Sequence, residues 1–241
     1  MNHPTGRIDV GNRGFTLIEM AVVLVILSLL LGGLLIPLGT QVENRRIKDT
    51  RKQLAAIQEA LIGFAIISLN TRLPCPDIDG DGLEDPQTSQ TMTGCARLEG
   101  ELPWVTLGLT RNDPWGRPFR YAPDAAYADP AGIPAPPDTR SDLLVRDHTG
   151  TPLTDTTPAS PPGPLPNGPA AILFSCGRDG VPNGENDNDS LTNTDANCTN
   201  PGLSDGVYLA GIRMEGKSDD TLVWLSRNIL LHRLVAAGVW P

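Results

Sequence analysis

The stretch that decides the fold reads Arg13-Gly14-Phe15-Thr16-Leu17-Ile18-Glu19, followed by MAVVLVILSLLLGGLLI over residues 20–36. Those last 17 residues carry no charge. They come close to the shortest run that spans a bilayer as a helix, and Phe15, Leu17 and Ile18 lengthen it. A secretory signal has a shorter apolar core followed by small residues at a cleavage site. Here the run is long, and a helical pattern continues past it. Glu19 is set inside the apolar segment, four residues after Phe15. An unpaired carboxylate at that depth costs on the order of 2–3 kcal/mol, which marks the position as functional.

Beyond the run, Ile47, Leu54, Ile57, Leu61 and Phe64 recur at spacings of 7, 3, 4 and 3. That is one apolar helical stripe, with Arg51, Lys52, Gln53, Gln58 and Glu59 turned away from it. Leu73-Pro74 stops the pattern. The expectation is a long helix over 15–72, transmembrane over 15–39, whose second half packs on a head formed by 73–241. Periodicity alone leaves a second reading equally open, a membrane anchor joined to an unrelated soluble helix.

The motif at 13–19 resembles the processing site of type IV prepilins. The resemblance implies that residues 1–14 are a leader, removed after Gly14 by a prepilin peptidase, and that Phe15 becomes the methylated first residue. It also puts the family's acidic fifth mature residue on Glu19, which neutralises the N-terminal amine of a neighbouring subunit during assembly. Two features depart from the pattern. A leader of 14 residues is long, and Arg45, Arg46, Lys48, Arg51 and Lys52 outnumber Arg7 and Arg13, against the positive-inside rule. The implied partners are the peptidase, other pilins or pseudopilins in a filament, and the bacterial inner membrane. The chain would cross that membrane once, with its head in the periplasm or on an extracellular filament.

Composition restricts the rest. The chain has 241 residues with 25 Gly, 23 Pro and 5% aromatics, which leaves a modest core and much irregular backbone. A net charge of −9 argues against nucleic acid, whose phosphates need a basic face. Once the leader is set aside, 17 bases face 27 acids, and ten of those acids fall in the windows 73–96 and 179–200, which contain no Lys or Arg. Cys75 and Cys95 frame the first window; Cys176 and Cys198 frame the second.

The first window reads Cys75-Pro-Asp77-Ile-Asp79-Gly80-Asp81-Gly82-Leu-Glu84-Asp85. Alternating Asp residues followed by Gly place carboxylates around one turn, as a hard oxygen-seeking cation requires. The pattern resembles the first half of an EF-hand-type loop, although Thr88 stands where the bidentate acid belongs. Asp77, Asp79 and Asp81 are candidate calcium ligands, and a solvated acidic turn is the alternative. The second window, Ser175-Cys176-Gly177-Arg178-Asp179-Gly180 through Asp189, resembles the calcium loop of major pseudopilins of type II secretion systems. That resemblance carries calcium ligation to Asp179, Asp187 and Asp189, completed by backbone carbonyls. Asn112-Asp113-Pro114-Trp115-Gly116 is similar to a stretch preceding the first strand of the same proteins. Physically it is a turn with a buried Trp leading into a strand at Phe119 and Tyr121.

Four cysteines permit three pairings. The sequence-local one, Cys75–Cys95 with Cys176–Cys198, is favoured because each bridge would close the loop that holds an acidic cluster; each would add about 2–4 kcal/mol. No CxxC spacing suggests zinc, and cysteines that pair suit an oxidising compartment. A Pro-rich insertion occupies 123–169 with 12 Pro. Near the end, Val207–Ile212 reads as a strand. Ser218-Asp219-Asp220 then reads as the cap of a C-terminal helix with Leu222, Leu225, Ile229 and Leu234 in the core.

Residues 211–218, GIRMEGKS, satisfy a phosphate-binding-loop pattern, but too few residues follow to build the parallel sheet that carries such a loop. No nucleotide is expected. His148 and His232 lack a G-x-S-x-G partner, so no enzyme activity is expected either. The fold expectation is α+β and pilin-like, a long N-terminal helix on a small antiparallel-sheet head closed by a C-terminal helix. The function expectation is a filament subunit, pseudopilin or minor pilin. Its rivals are a rare filament-tip binding or priming component and a membrane-anchored calcium-binding protein.

Overall fold

Helix α1 runs from Leu17 to Ile67 without a break in its backbone. The structure is a computed structural model and describes residues 14–87, 94–136, 139–154, 168–183, 186, 198, 206–211 and 219–240, with the side chains of 31–38 set aside. The chain separates into two units, residues 1–45 and 46–241. In the first, Phe15, Leu17 and the apolar side chains from Met20 to Leu30 are largely exposed around the whole helix. Among the described residues, no helix is long and apolar enough to cross a membrane.

The second unit is the head. Its part of α1 buries Leu54, Ile57, Leu61, Ile62 and Ala65, positions three and four apart that form one face. The helix ends earlier than 72. Ser68 Oγ accepts the Arg72 N–H at 2.9 Å, Thr71 has a φ of 49°, and the chain turns away before Leu73.

Against this face lies a four-stranded antiparallel sheet in the order β1 (Gly100–Glu101), β2 (Arg120–Pro123), β4 (Ala171–Ser175), β6 (Thr221–Leu225). A short helix, α2 (Trp104–Leu107), links β1 to β2, and α3 (Arg227–Ala236) follows β6. Strand β4, AILFS, is buried along its full length. Its alternate side chains enter two different cores. Ala171 and Leu173 join α1, Phe119, Tyr121, Leu230 and Leu234, whereas Ile172 and Phe174 join Val145, Tyr208 and both cysteines of the second disulfide. The second core is roofed by a parallel pair, β3 (Leu144–Arg146) and β5 (Val207–Leu209). Parallel pairing was not expected. It arises because the Pro-rich insertion is pinned back onto the sheet: Asp124 accepts N–H bonds from Ala126 and Asp142, and Ser141 Oγ donates to the Pro169 carbonyl at 2.6 Å.

The C-terminal expectation is corrected. Residues 221–225 are a strand paired with β4 over five registers, Ala171↔Leu225 to Ser175↔Thr221. The helix begins only at Arg227, after Ser226. A short apolar run reads equally as strand or helix, and here an open edge of β4 decides. Consequently Leu230, not Ile229, enters the core.

A buried ion pair ties the sheet to the second core. Arg120 on β2 and Glu99 are both almost fully buried and paired, the Tyr208 hydroxyl donates to Glu99 at 2.8 Å, and the guanidinium lies 5.7 Å from the Phe174 ring centroid. Removing one partner of such a pair leaves a charge without compensation, at a cost of about 3–5 kcal/mol. We expect Glu99→Gln to lose about 3 kcal/mol in urea unfolding of the full chain, and the apolar double variant Glu99→Leu/Arg120→Met to recover most of that loss.

Candidate functional sites

The N-terminal motif forms a reciprocal cap. The Thr16 N–H and hydroxyl each donate to the Glu19 carboxylate at 2.9 Å, and the Glu19 N–H donates to Thr16 Oγ1 at 3.3 Å. Thr-x-x-Glu is the capping-box spacing, which satisfies donors that the first turn cannot. Gly14 precedes the helix and Phe15 is exposed, so the bond between them lies just outside the capped turn. The T-x-x-E spacing signals this cap, a role for Thr16 beyond its place in the 13–19 motif. Residues 1–13 of the expected leader lie outside the described residues.

In the first acidic window, Cys75 and Cys95 are bonded. The carboxylates turn inward to their own backbone. Both oxygens of buried Asp77 accept N–H bonds, from Gly80 at 2.7 Å and Gly82 at 2.8 Å. Asp79 accepts from Asp81, Asp81 from Leu83, and Asp85 from Ile78. Glu84 takes both arms of Arg72 and the Cys75 N–H. Gly82 is required here: its φ is +87°, and a Cβ would meet the Trp104 ring at 2.5 Å. Asp77, Asp79 and Asp85 bring oxygens within 4.8 Å of one another. Asp81 does not belong to that group, and Asp85 replaces it. Burial raises the Asp77 pKa, the charges of Asp81 and Asp79 add to the rise, and the two glycine N–H bonds oppose it.

In the second window, Cys176 and Cys198 are bonded. Ser175 Oγ donates to Asp113 Oδ2 at 2.5 Å, while Asp113 Oδ1 accepts N–H bonds from Trp115 and Arg117. The turn at 112–117 and the loop after β4 therefore share one buried carboxylate. Asp113 is the buried residue of that turn, and Trp115 is only half-buried, which corrects the expected buried Trp. The Arg117 guanidinium lies against Gly180, where a Cβ would meet it at 2.6 Å.

Asp179 is exposed and accepts the Val181 N–H at 2.9 Å. Asp187 and Asp189 lie outside the described residues, as do 212–218 of the GIRMEGKS stretch. Asp219 and Asp220, expected in a helix cap, instead hold this loop. Asp219 Oδ2 accepts from the N–H groups of Arg178 and Asp179. Asp220 Oδ2 accepts from the Asn183 N–H and the Asn186 side-chain amide. The other Asp220 oxygen, Oδ1, is buried without a hydrogen-bond partner among the described residues. Asn186 also bonds both backbone groups of Leu209, so β5, the loop and the start of β6 are one network.

Comparison with known proteins places one segment. Residues 10–35 match the family model of the prokaryotic N-terminal methylation motif. This accords with a type IV prepilin or pseudopilin, and the α+β architecture of N-terminal helix, four-stranded antiparallel sheet and C-terminal helix accords with a pilin-like fold. No curated protein and no solved structure matches the chain.

Burial pushes the Asp220 pKa up to about 7, with Asp219 and Asp179 adding repulsion against the donors Asn186 and Asn183. The folded-state value exceeds the unfolded one, so protonation favours the fold. Stability from this group is complete below about pH 4 and is lost as pH rises through about 7. In a metal chelator, the urea midpoint of the wild type should fall across that interval, and Asp220→Asn should fall less.

Proposed function

We propose that this chain is a structural subunit, a pseudopilin or minor pilin, of a type IV pilus-like or type II secretion filament. The observation that carries the reading is the methylation motif over residues 10–35, with an acid at Glu19 held in a capping box. In this reading a prepilin peptidase cuts after Gly14, Phe15 is methylated, and the apolar helix is anchored in the inner membrane before it enters a filament. A helix apolar on every side needs an apolar surrounding, either lipid or other helices. The capping box keeps the Glu19 carboxylate hydrogen-bonded until a neighbour's N-terminal amine replaces those donors. The role is assembly, without chemistry at a catalytic group.

A minor role is favoured over a major one. The insertion at 123–169 supplies β3 and, with β5, adds a second small sheet to the head. A surface elaborated in this way suits recognition of a partner at a filament tip.

We further propose calcium at the second acidic loop. Among the described residues, Asp220 holds one oxygen buried without a donor, and Asp219 and Asp179 add negative charge beside it. A hard cation with oxygen ligands answers both features. Asp179 and Asp220 would contribute from opposite ends of the network, with Asp187 and Asp189 the remaining candidates. Binding to the folded loop alone would stabilise the head by mass action.

Mass spectrometry of chain extracted from membranes should find an N-terminus at methylated Phe15. A chain that still begins at Met1 in cells containing the peptidase would overturn the filament reading. Calcium removal should increase proteolysis around 176–198, and digestion unchanged by a chelator would remove the metal from the account.

A further inference from the structure

Along the head portion of α1, an open groove runs between the helix and residues 108–119. Gln53, Ala56, Ile57, Leu109, Pro114 and Phe119 line it, and its deeper part holds about 300 Å³. Lys52 lines its helical edge, and Arg46 and Lys48 stand exposed on the same helix in the turns just before it. Among the described residues none of these three side chains has a hydrogen bond or ion pair. Asp49 lines the same edge but is engaged within its own chain. The groove is thus an apolar floor edged by Lys52, with Lys48 and Arg46 following along the helix and the Asp49 carboxylate already engaged.

The turn at 79–83 presents the opposite chemistry. Asp79 and Asp81 are exposed, and each uses one oxygen to hold the turn. Leu83 follows them with 49% of its surface in water. The turn is rigid, because Asp77 fastens it from beneath and the Cys75–Cys95 bridge closes the segment. An apolar tip flanked by carboxylates complements an apolar floor edged by Lys52.

We infer that in the assembly the 79–83 turn of one copy seats on the α1 groove of a second copy. Leu83 covers Ala56, and Asp79 and Asp81 face Lys52 and its basic neighbours. The contact joins two different patches, so it is heterologous; such a contact propagates into an open filament unless its rotation closes a ring. Its charges steer association and fix register, and its desolvated pairs set how long copies stay together. The inference rests on the filament reading and names the surface through which copies meet.

The test uses the full chain in membranes, with one copy tagged at the C-terminus and a second, isotopically heavy and untagged. Carbodiimide treatment should give isotopically mixed cross-links between Lys52 or Lys48 and Asp79 or Asp81. Lys52→Glu and Asp81→Lys should each reduce recovery of the untagged copy about tenfold, and the combined reversal should restore it. A combined variant as weak as either single one overturns the inference. So do cross-links between copies that join other positions, and in that case the filament reading stands. If Lys52→Glu weakens binding to anionic phospholipid vesicles and leaves copy-to-copy recovery intact, the Lys52 edge faces lipid and the inference falls. Failure of mature, Phe15-initiated copies to associate at all would overturn the filament reading with it.

Discussion

The head is organised by the need to hide both faces of β4. A strand exposes its side chains alternately, so AILFS at 171–175 requires two separate apolar covers. The α1 stripe supplies one, through Leu54, Ile57, Leu61 and Ala65. The other is assembled from distant pieces, Val145 of the insertion and Tyr208 beyond the second acidic loop. This arrangement explains why the Pro-rich insertion is fastened so firmly at Asp124 and Ser141. Without it, Ile172 and Phe174 would face water. Arg120 then enters the same space, and burial of its charge is tolerable because Glu99 and Tyr208 arrive with it.

Acidic residues in this head act first as acceptors for irregular backbone. Loops too short or too Gly-rich for ladder pairing still contain N–H groups that must be satisfied. Asp77, Asp85, Asp113, Asp124, Asp219 and Asp220 each accept such bonds. The two disulfides close residues 75–95, which include Asp77 and Asp85, and residues 176–198, lowering the entropy of the unfolded loops by an amount worth about 3 kcal/mol each. Asp220 differs from the other five in keeping a buried oxygen without a partner among the described residues. That asymmetry separates the second loop, proposed to hold a cation, from the first, whose Asp77 is occupied on both oxygens.

The N-terminal unit obeys a different constraint. Among the described residues its side chains do not form a core, since residues 15–30 are exposed around the helix. Local capping by Thr16 and Glu19 stabilises its start, but its apolar surface is left for an environment outside the chain. In the proposed filament, stability and assembly are divided along one helix. The head portion of α1 folds the protein, and the portion before it would meet membrane lipid or other subunits.

The sequence by itself determined what depends on near neighbours. The motif at 13–19, the stripe from Leu54 to Leu61 and the turn at 112–117 are set by spacings of a few residues, and periodicity reports those directly. Tertiary structure decided everything that needed a distant partner. Residues 221–225 became a strand because β4 offered an open edge. Asp219 and Asp220 became loop acceptors because that strand brings them back to residues 178–186. Asp85 replaced Asp81 beside Asp77 and Asp79 because the chain closes onto Ile78. For residues 219–225, hydrogen bonds to partners far apart in sequence outweighed a local preference of similar or smaller size, and at Asp85 a bond across the closed turn did the same.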